Sequence, residues 1–446
     1  MFKKSIVHYI SKNKGPLAFL CVTIFWLSFY VNCAYFFIYD KPEALKYFPP
    51  FVAGKNLNIN AHLGAEYYYI AQSIVEGKGF SNPFQVETGP TSWMPPVYPF
   101  ILAALIKLFH KKILVAACVV FLKNLVLIGV GLLAYEIAKQ TLTTLKPWFI
   151  LLLYVLFLLG NFWWYFQITH DEWLLLLSVC IIFPMAVFIK RNHITLSVAI
   201  IWGIVGGFAM LLNPVIGLSW VALSVINFSF NKNGRVLVVS LLLFFSLFSL
   251  WIIRNYSVFN RFILIKSNFY YEAYVYNYNT ADGLFDKAFT DKHPVWHVKD
   301  DPQNPYRKLG EMQFLDTYRG KFSAAFKQDP YHYLNNIWNR LRAALVVYYP
   351  YHAYEGHFIL FNRLLHPLPF ICLLLLLCVN SHGLSDYAKI AMLMYAICLV
   401  PYILISYYTR YGIPMTLIKL LFCAWGIDHV LRAVEKRFHR EARNHA

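Results

Sequence analysis

Arg235-Val-Leu-Val-Val-Ser240-Leu-Leu-Leu-Phe-Phe-Ser-Leu-Phe-Ser-Leu250-Trp-Ile-Ile253 carries no charge between its first residue and Arg254. A helix needs about 20 apolar residues to cross the hydrocarbon of a bilayer. Pro16 to Ile38 is a second run of that kind. Working outward, the chain stays apolar: of 446 residues, 59% are hydrophobic and 14% charged, against roughly 25% charged in a soluble domain. The pattern defines an all-α polytopic membrane protein. Aromatic residues make up 18%, and many Tyr and Trp fall at the ends of apolar runs, where amphipathic rings favour the headgroup layer.

The runs predict about ten transmembrane helices, at 16–38, 118–138, 147–167, 171–189, 194–212, 214–230, 235–253, 361–379, 386–406 and 411–431. Two long segments then face one compartment, 39–117 and 254–360. The chain divides into a membrane module, 1–253, with its first external loop; an extracytoplasmic loop domain of mixed structure, 254–360; C-terminal membrane helices, 361–431; and a basic tail, 432–446. Val97 to Phe109, opened by Pro95, Pro96 and Pro99, is too short to span and reads as an interfacial helix. Helices are expected from Gly310 to Lys327 and from Pro330 toward Val347, the latter started by Asp329 with proline at its first position.

The formal charge is +18, which in a soluble chain would suggest nucleic acid. Here the basic residues gather at the ends, at Lys3, Lys4, Lys12 and Lys14 and at Arg432, Lys436, Arg437, Arg440 and Arg443. Such clusters hold both termini in the cytoplasm and attract anionic membrane lipid, so no nucleic-acid partner is expected. The eight cysteines lie in or beside apolar runs, none at metal-ligand spacing. The first span is too long for a signal-peptide core and reads as a retained anchor.

Few residues can carry chemistry. Glu66 opens a probable helix, Ala65 to Glu76, that Gly77 and Gly79 end, and Tyr67, Tyr68 and Tyr69 follow it. Rings that exclude water raise a carboxylate's proton affinity and make it a better base; the alternative is a solvated glutamate beside an aromatic belt. In Thr169-His170-Asp171-Glu172-Trp173, two carboxylates could bind a sugar hydroxyl or a divalent ion, or simply cap the next helix. Lys123 interrupts an apolar run, either as a functional ammonium or as a snorkelling one. Arg254 and Arg410 stand just outside spans, where a guanidinium can grip a lipid phosphate or merely flank the membrane.

Taken in order, several segments resemble one family. Tyr67-x-x-Ile70-Ala-x-Ser-x-x-Glu-Gly-Lys-Gly-Phe80-Ser81 and Pro90-Thr-Ser-Trp-Met-Pro95-Pro96-Val-Tyr98-Pro99 are similar to the first external loop of GT-C superfamily membrane glycosyltransferases. These include protein O-mannosyltransferases and aminoarabinose transferases. Ile253-Arg254-Asn255-Tyr256-Ser-Val-Phe259-Asn-Arg261-Phe262 with Asn268, the stretch Ala324 to Leu345, and Arg410-Tyr411-x-x-Pro414 resemble further motifs of bacterial members. The family's usual first-loop aspartate would fall near Leu63 or Gly64, where this chain has no carboxylate; Glu66 is nearest, with Asp40 and Glu43 further back. Leu212-Asn213-Pro214 lacks the family's arginine, and Gly412 stands where relatives have a second one.

The resemblance implies transfer of a sugar from a polyprenyl-phosphate-linked donor to a glycan, lipid or protein hydroxyl outside the bacterial inner membrane, with no cofactor required. It implies Glu66 as base, Arg254, Arg410 and Lys123 on the lipid phosphate, and Tyr67, Tyr69, Asp171, Glu172 and Asn268 on the sugars. Inversion is the simplest outcome, since no second carboxylate is placed as a nucleophile. Two other classes fit the sequence. One is a transporter or flippase of lipid-linked glycan, which needs ionisable residues at the bilayer midplane. The other is a non-catalytic assembly protein of the same fold.

Overall fold

The computed structural model describes residues 11–37, 63–167, 169–192, 194–231, 234–284, 293–349, 356–379 and 383–444. Asp40 and Glu43 lie outside them. The described chain is 79% helix with no strand, so the loop domain expected to be of mixed structure is helical here. Its only strand-like pairings among the described residues are isolated bridges, Ser81 with Pro90 and Leu284 with Tyr407.

Among the described residues, six helices are long and apolar enough to cross a membrane: Lys14–Asn32, Lys112–Thr141, Glu172–Arg191, Gly234–Phe259, Leu360–Cys378 and Asp386–Leu404. The other expected spans differ for physical reasons. Trp148–Gly160 and Leu196–Leu212 are apolar but short; at 1.5 Å per residue the longer of them covers about 26 Å, less than the roughly 30 Å of hydrocarbon. The Trp148 helix stops because the chain changes to a π-helical turn, Trp163–Gln167. Asn213 breaks Leu196–Leu212 from Pro214–Asn231, and its side chain accepts from Val215 N at 2.9 Å. Thr416–Asn444 is long, but its C-terminal half is charged and exposed.

Lipid tails offer no hydrophobic drive between helices, so association rests on close backbone approach and interhelical hydrogen bonds. The Leu196–Leu212 and Gly234–Phe259 helices show both. A Cβ on Gly203 would lie 2.5 Å from Ser240 O, and one on Gly207 2.8 Å from Leu247. The Ser240 hydroxyl donates to Ala199 O at 3.0 Å. The opposite face of Gly234–Phe259 exposes Val238, Leu242, Phe245, Leu250 and Ile253, an apolar stripe suited to lipid.

A separate aromatic core joins the two long loops: Phe84 and Trp93 of the first pack with Tyr271, Tyr306, Phe314 and Tyr318 of the second. Glu311 is buried at its edge. Its carboxylate accepts from Ser92 N at 2.9 Å, Ser267 Oγ at 2.7 Å, Tyr306 Oη at 2.8 Å and Thr91 Oγ1. Four donors on one buried carboxylate fix the first loop to the second. Both helices expected in the second loop are present, as Pro305–Gln328 with a break at Gly310 (φ 71°) and Pro330–Leu345. Asp329 caps the latter by accepting from His332 N at 3.0 Å.

Arg340 docks this outer layer onto the membrane bundle. It is fully buried, and donates to Ile403 O at 2.6 Å, Leu404 O at 3.2 Å and Asn277 Oδ1 at 2.8 Å. Ile403 and Leu404 end the Asp386–Leu404 helix, where carbonyls lack intrahelical partners and the dipole is negative. Burial lowers the Arg340 pKa to about 10, which leaves the guanidinium charged at neutral pH.

Candidate functional site

Glu66 is the first residue of its helix, Glu66–Val75. The chain reaches it through three successive left-handed residues: Leu63 (φ 50°), Gly64 (φ 78°) and Ala65 (φ 37°). For the two that are not glycine this conformation costs roughly 1–2 kcal/mol each. Strain of this kind persists where the surroundings hold it, and Leu63 is fully buried. The turn aims Glu66 inward, partly covered, at the helix end whose dipole favours a carboxylate.

Burial raises the Glu66 pKa from 4.5 to about 7, with the Glu272 carboxylate adding to the rise; its own backbone N–H, Arg410 and Lys266 pull the other way. Glu272 likewise has its proton affinity raised by burial, against the pull of Lys266 and Arg410. Glu272 Oε1 accepts from Asn268 Nδ2 at 3.1 Å. Asn268 is fully buried, and its Oδ1 has no partner.

Arg410 is the cation common to these groups. It lies on a tight turn, Thr409–Met415, and its guanidinium stacks 5.2 Å from the Tyr408 ring and 5.8 Å from the Tyr411 ring. It hydrogen-bonds His170 Nδ1. Beside it, Asp171 occupies the cap position of the Glu172–Arg191 helix without making a cap bond. It accepts instead from Tyr67 Oη at 3.0 Å. The Tyr67 ring meets Tyr98 edge-on at 5.2 Å, and Tyr98 Oη donates to Thr169 O at 2.8 Å. First loop, interfacial helix and the third-to-fourth span turn are thus tied at one place.

Glu172 and Lys123 sit beneath. Their side chains are 2% and 3% exposed and pair at 3.3 Å, so Lys123 does not snorkel. Its ammonium also donates to Trp164 O at 2.7 Å. Glu172 Oε2 has no partner and points to unfilled hydrogen-bonding capacity in this region.

The structure gathers Glu66, Tyr67, Asp171, Glu172, Asn268 and Arg410 about one region, with Lys123 beneath it. Two others make their hydrogen bonds elsewhere, although Tyr69 lies close enough to Glu66 to feel its charge. Arg254 hydrogen-bonds Thr91 O at 2.8 Å, Phe80 O at 2.9 Å and Asn255 Oδ1 at 3.0 Å, stacked between Trp251 and Phe80; it clamps the first loop. Tyr69 donates to Gln85 Oε1 at 3.1 Å on the surface. Sequence reasoning missed Glu272 and Lys266. Glu272 was legible only as the residue one helical turn after Asn268; exposed Lys266 gave no signal. Among the described residues no three His, Cys, Asp or Glu side chains are grouped to hold a metal ion.

Fold and site together define a helical multi-pass membrane protein with a cluster of acids around one arginine at the end of the bundle that bears its long loops. No protein-family model matches the chain, and neither a curated protein nor a solved structure is significantly similar to it.

Proposed function

We propose that the chain is an integral membrane glycosyltransferase of GT-C type, with ten crossings and both termini in the cytoplasm, acting at the outer face of a bacterial inner membrane. Its donor is a sugar on a polyprenyl phosphate; its acceptor is a hydroxyl of a glycan, lipid or protein. The observation that carries the reading is the carboxylate of Glu66, whose proton affinity lies near neutrality beside the charge of Arg410. A general base works best when its pKa lies near the operating pH.

In this reading Glu66 takes the acceptor hydroxyl proton as the oxygen attacks the anomeric carbon. The new C–O bond forms as the bond to the lipid phosphate breaks, and the phosphate leaves with that electron pair. The attack comes from the opposite face, so configuration inverts. Tyr67, Asp171, Glu272 and Asn268 supply hydroxyl-binding groups around the base, and Arg410 offsets negative charge that develops beside it.

The test incubates purified protein in detergent with a radiolabelled polyprenyl-phosphate sugar and an extract of candidate acceptors. Loss of donor by the wild type and not by Glu66→Gln supports the reading; equal consumption by the variant removes Glu66 from the mechanism. A transporter of lipid-linked glycan is the second reading. The buried Lys123–Glu172 pair favours it, since ionisable residues inside a bundle often mark transport pathways. A wild type that moves the donor across vesicles without consuming it decides for transport.

A further inference from the structure

A polar cavity lies among the Trp148–Gly160 helix, the Leu360–Cys378 segment, the Thr409–Met415 turn and the start of the Thr416–Asn444 helix. Lys419, Asn161, Asn362, His366, Thr409 and Gly412 line it, with no Asp or Glu among its lining residues. Lys419 also lines an adjoining cavity walled by tyrosines, again without an acid. Its near neighbours in sequence, Leu417, Ile418, Leu420 and Leu421, are fully buried. Among the described residues no carboxylate pairs with the Lys419 ammonium. Lys123 differs on both counts: it is buried with Glu172 beside it, whereas Lys419 is partly exposed.

Two further observations point to an outside partner. Asn362 is 2% exposed, yet its Oδ1 makes no hydrogen bond, and a buried amide calls for a polar partner. As placed, it accepts from an O–H; with the amide turned over it donates two N–H groups. The Lys419 ammonium also occupies the space beside Gly412: a Cβ there would lie 2.5 Å from Nζ. Two hydroxyls of the cavity are committed to backbone carbonyls, Thr409 to Tyr349 O at 3.1 Å and Thr416 to Ile413 O at 2.6 Å. The cavity thus offers a cation with three N–H donors and an amide oxygen without a hydrogen-bond partner.

We propose that this cavity seats a phosphate group, held by the Lys419 ammonium with Asn362 as its polar neighbour. An acid-free chamber with an unpaired ammonium selects an anion, and a compact ammonium binds phosphate as a point charge. The sugar-transfer reading supplies a lipid phosphate as the natural occupant; the binding itself does not depend on transfer. Arg254 and Lys123, which the sequence offered for this task, are engaged with Thr91 O and Phe80 O and with Glu172.

The test measures binding, without turnover, of radiolabelled polyprenyl phosphate and of inorganic phosphate to the full chain in detergent micelles. Variants are Lys419→Met, Lys419→Arg, Gly412→Leu and, as a charge-matched control on the exposed tail, Lys436→Met. Lys419→Met should weaken binding at least about tenfold, the usual scale for losing a charge-assisted contact. Lys419→Arg should retain most of it, Gly412→Leu should weaken it, and Lys436→Met should match the wild type. Competition by inorganic phosphate identifies a soluble-phosphate seat; binding of the lipid alone identifies a headgroup seat. Wild-type binding of neither phosphate, equal affinity in a monodisperse Lys419→Met protein, or equal binding of the uncharged polyprenol overturns the proposal. Phosphate binding in a protein that consumes no donor would leave this seat standing while removing the transferase reading.

Discussion

Arg410 and Gly412 stand two residues apart on one turn, and their surroundings carry opposite charge. Arg410 faces Glu66, Glu272, Asp171 and Glu172. Gly412 faces Lys419 in a cavity with no acid among its described lining residues. In the first site carboxylates outnumber cations, and burial raises the Glu66 pKa to about 7. In the second, an ammonium has polar neighbours and no counter-ion. A hydroxyl that must lose a proton suits the first; a phosphate suits the second. The turn between them is rigid, with Tyr402 and Tyr411 stacked at 4.4 Å and Tyr408 edge-on to Tyr411 at 4.4 Å.

The largest expected effect falls on the acidic side. Glu66→Gln should lower sugar transfer by roughly 10²–10⁴-fold, the range for losing a general base; a loss under about threefold would put the proton elsewhere. Next comes the contrast between two lysines. Lys123→Met leaves Glu172 buried and unpaired and should destabilise by about 3–5 kcal/mol, while the Lys123→Met, Glu172→Gln double variant should recover part of this. Lys419→Met should leave stability unchanged or raised, because it replaces an ammonium without a counter-ion. Thermal melts in one detergent decide both; equal losses would erase the distinction between the two sites.

A smaller effect sharpens the acidic site. The transfer rate should rise with pH on a limb centred near 7, as Glu66 gives up its proton. Removing a like charge with Glu272→Gln should move that limb down, and removing the cation with Arg410→Gln should move it up, each by about one pH unit. Shifts of one sign would refute the charge assignment. The smallest effect is on folding. Between pH 4.5 and about 7 the folded state keeps a Glu66 proton that the unfolded chain gives up, so wild-type stability falls as pH rises through that window. Glu66→Gln should therefore be the more stable protein at pH 8, on the order of 1–2 kcal/mol after allowing for its partial exposure, and no more stable at pH 4.

Much of the fold was legible because lipid imposes long, uncharged helices, and the run ending at Ile253 could be little else. The lengths of individual helices were less so. Trp148–Gly160 and Leu196–Leu212 are apolar enough, yet end early at a π-helical turn and at Asn213, local breaks that average hydropathy does not register. In the candidate site, Glu66, Asp171, Glu172 and Lys123 stood out because charge beside or within apolar sequence is costly. Lys419 carried the same signal, between Ile418 and Leu420, and was passed over as part of a span. Arg254 was prominent for the wrong reason: its position suggested a lipid phosphate, but its bonds run to the first-loop carbonyls.

The amino-acid sequence by itself determined that this chain is a helical bundle in an apolar surround, since composition and run length follow directly from the bilayer's lack of hydrogen-bonding partners. It also singled out the few ionisable residues set against that background. Only the tertiary structure decided which of them meet. Glu66 and Glu272 are 206 positions apart, and Glu272 raises the proton affinity of Glu66 only because two loops fold over one end of the bundle; Lys123 finds an acid, and Lys419 none among the described residues. Charge effects depend on distance and burial, and a linear chain specifies neither until it is packed.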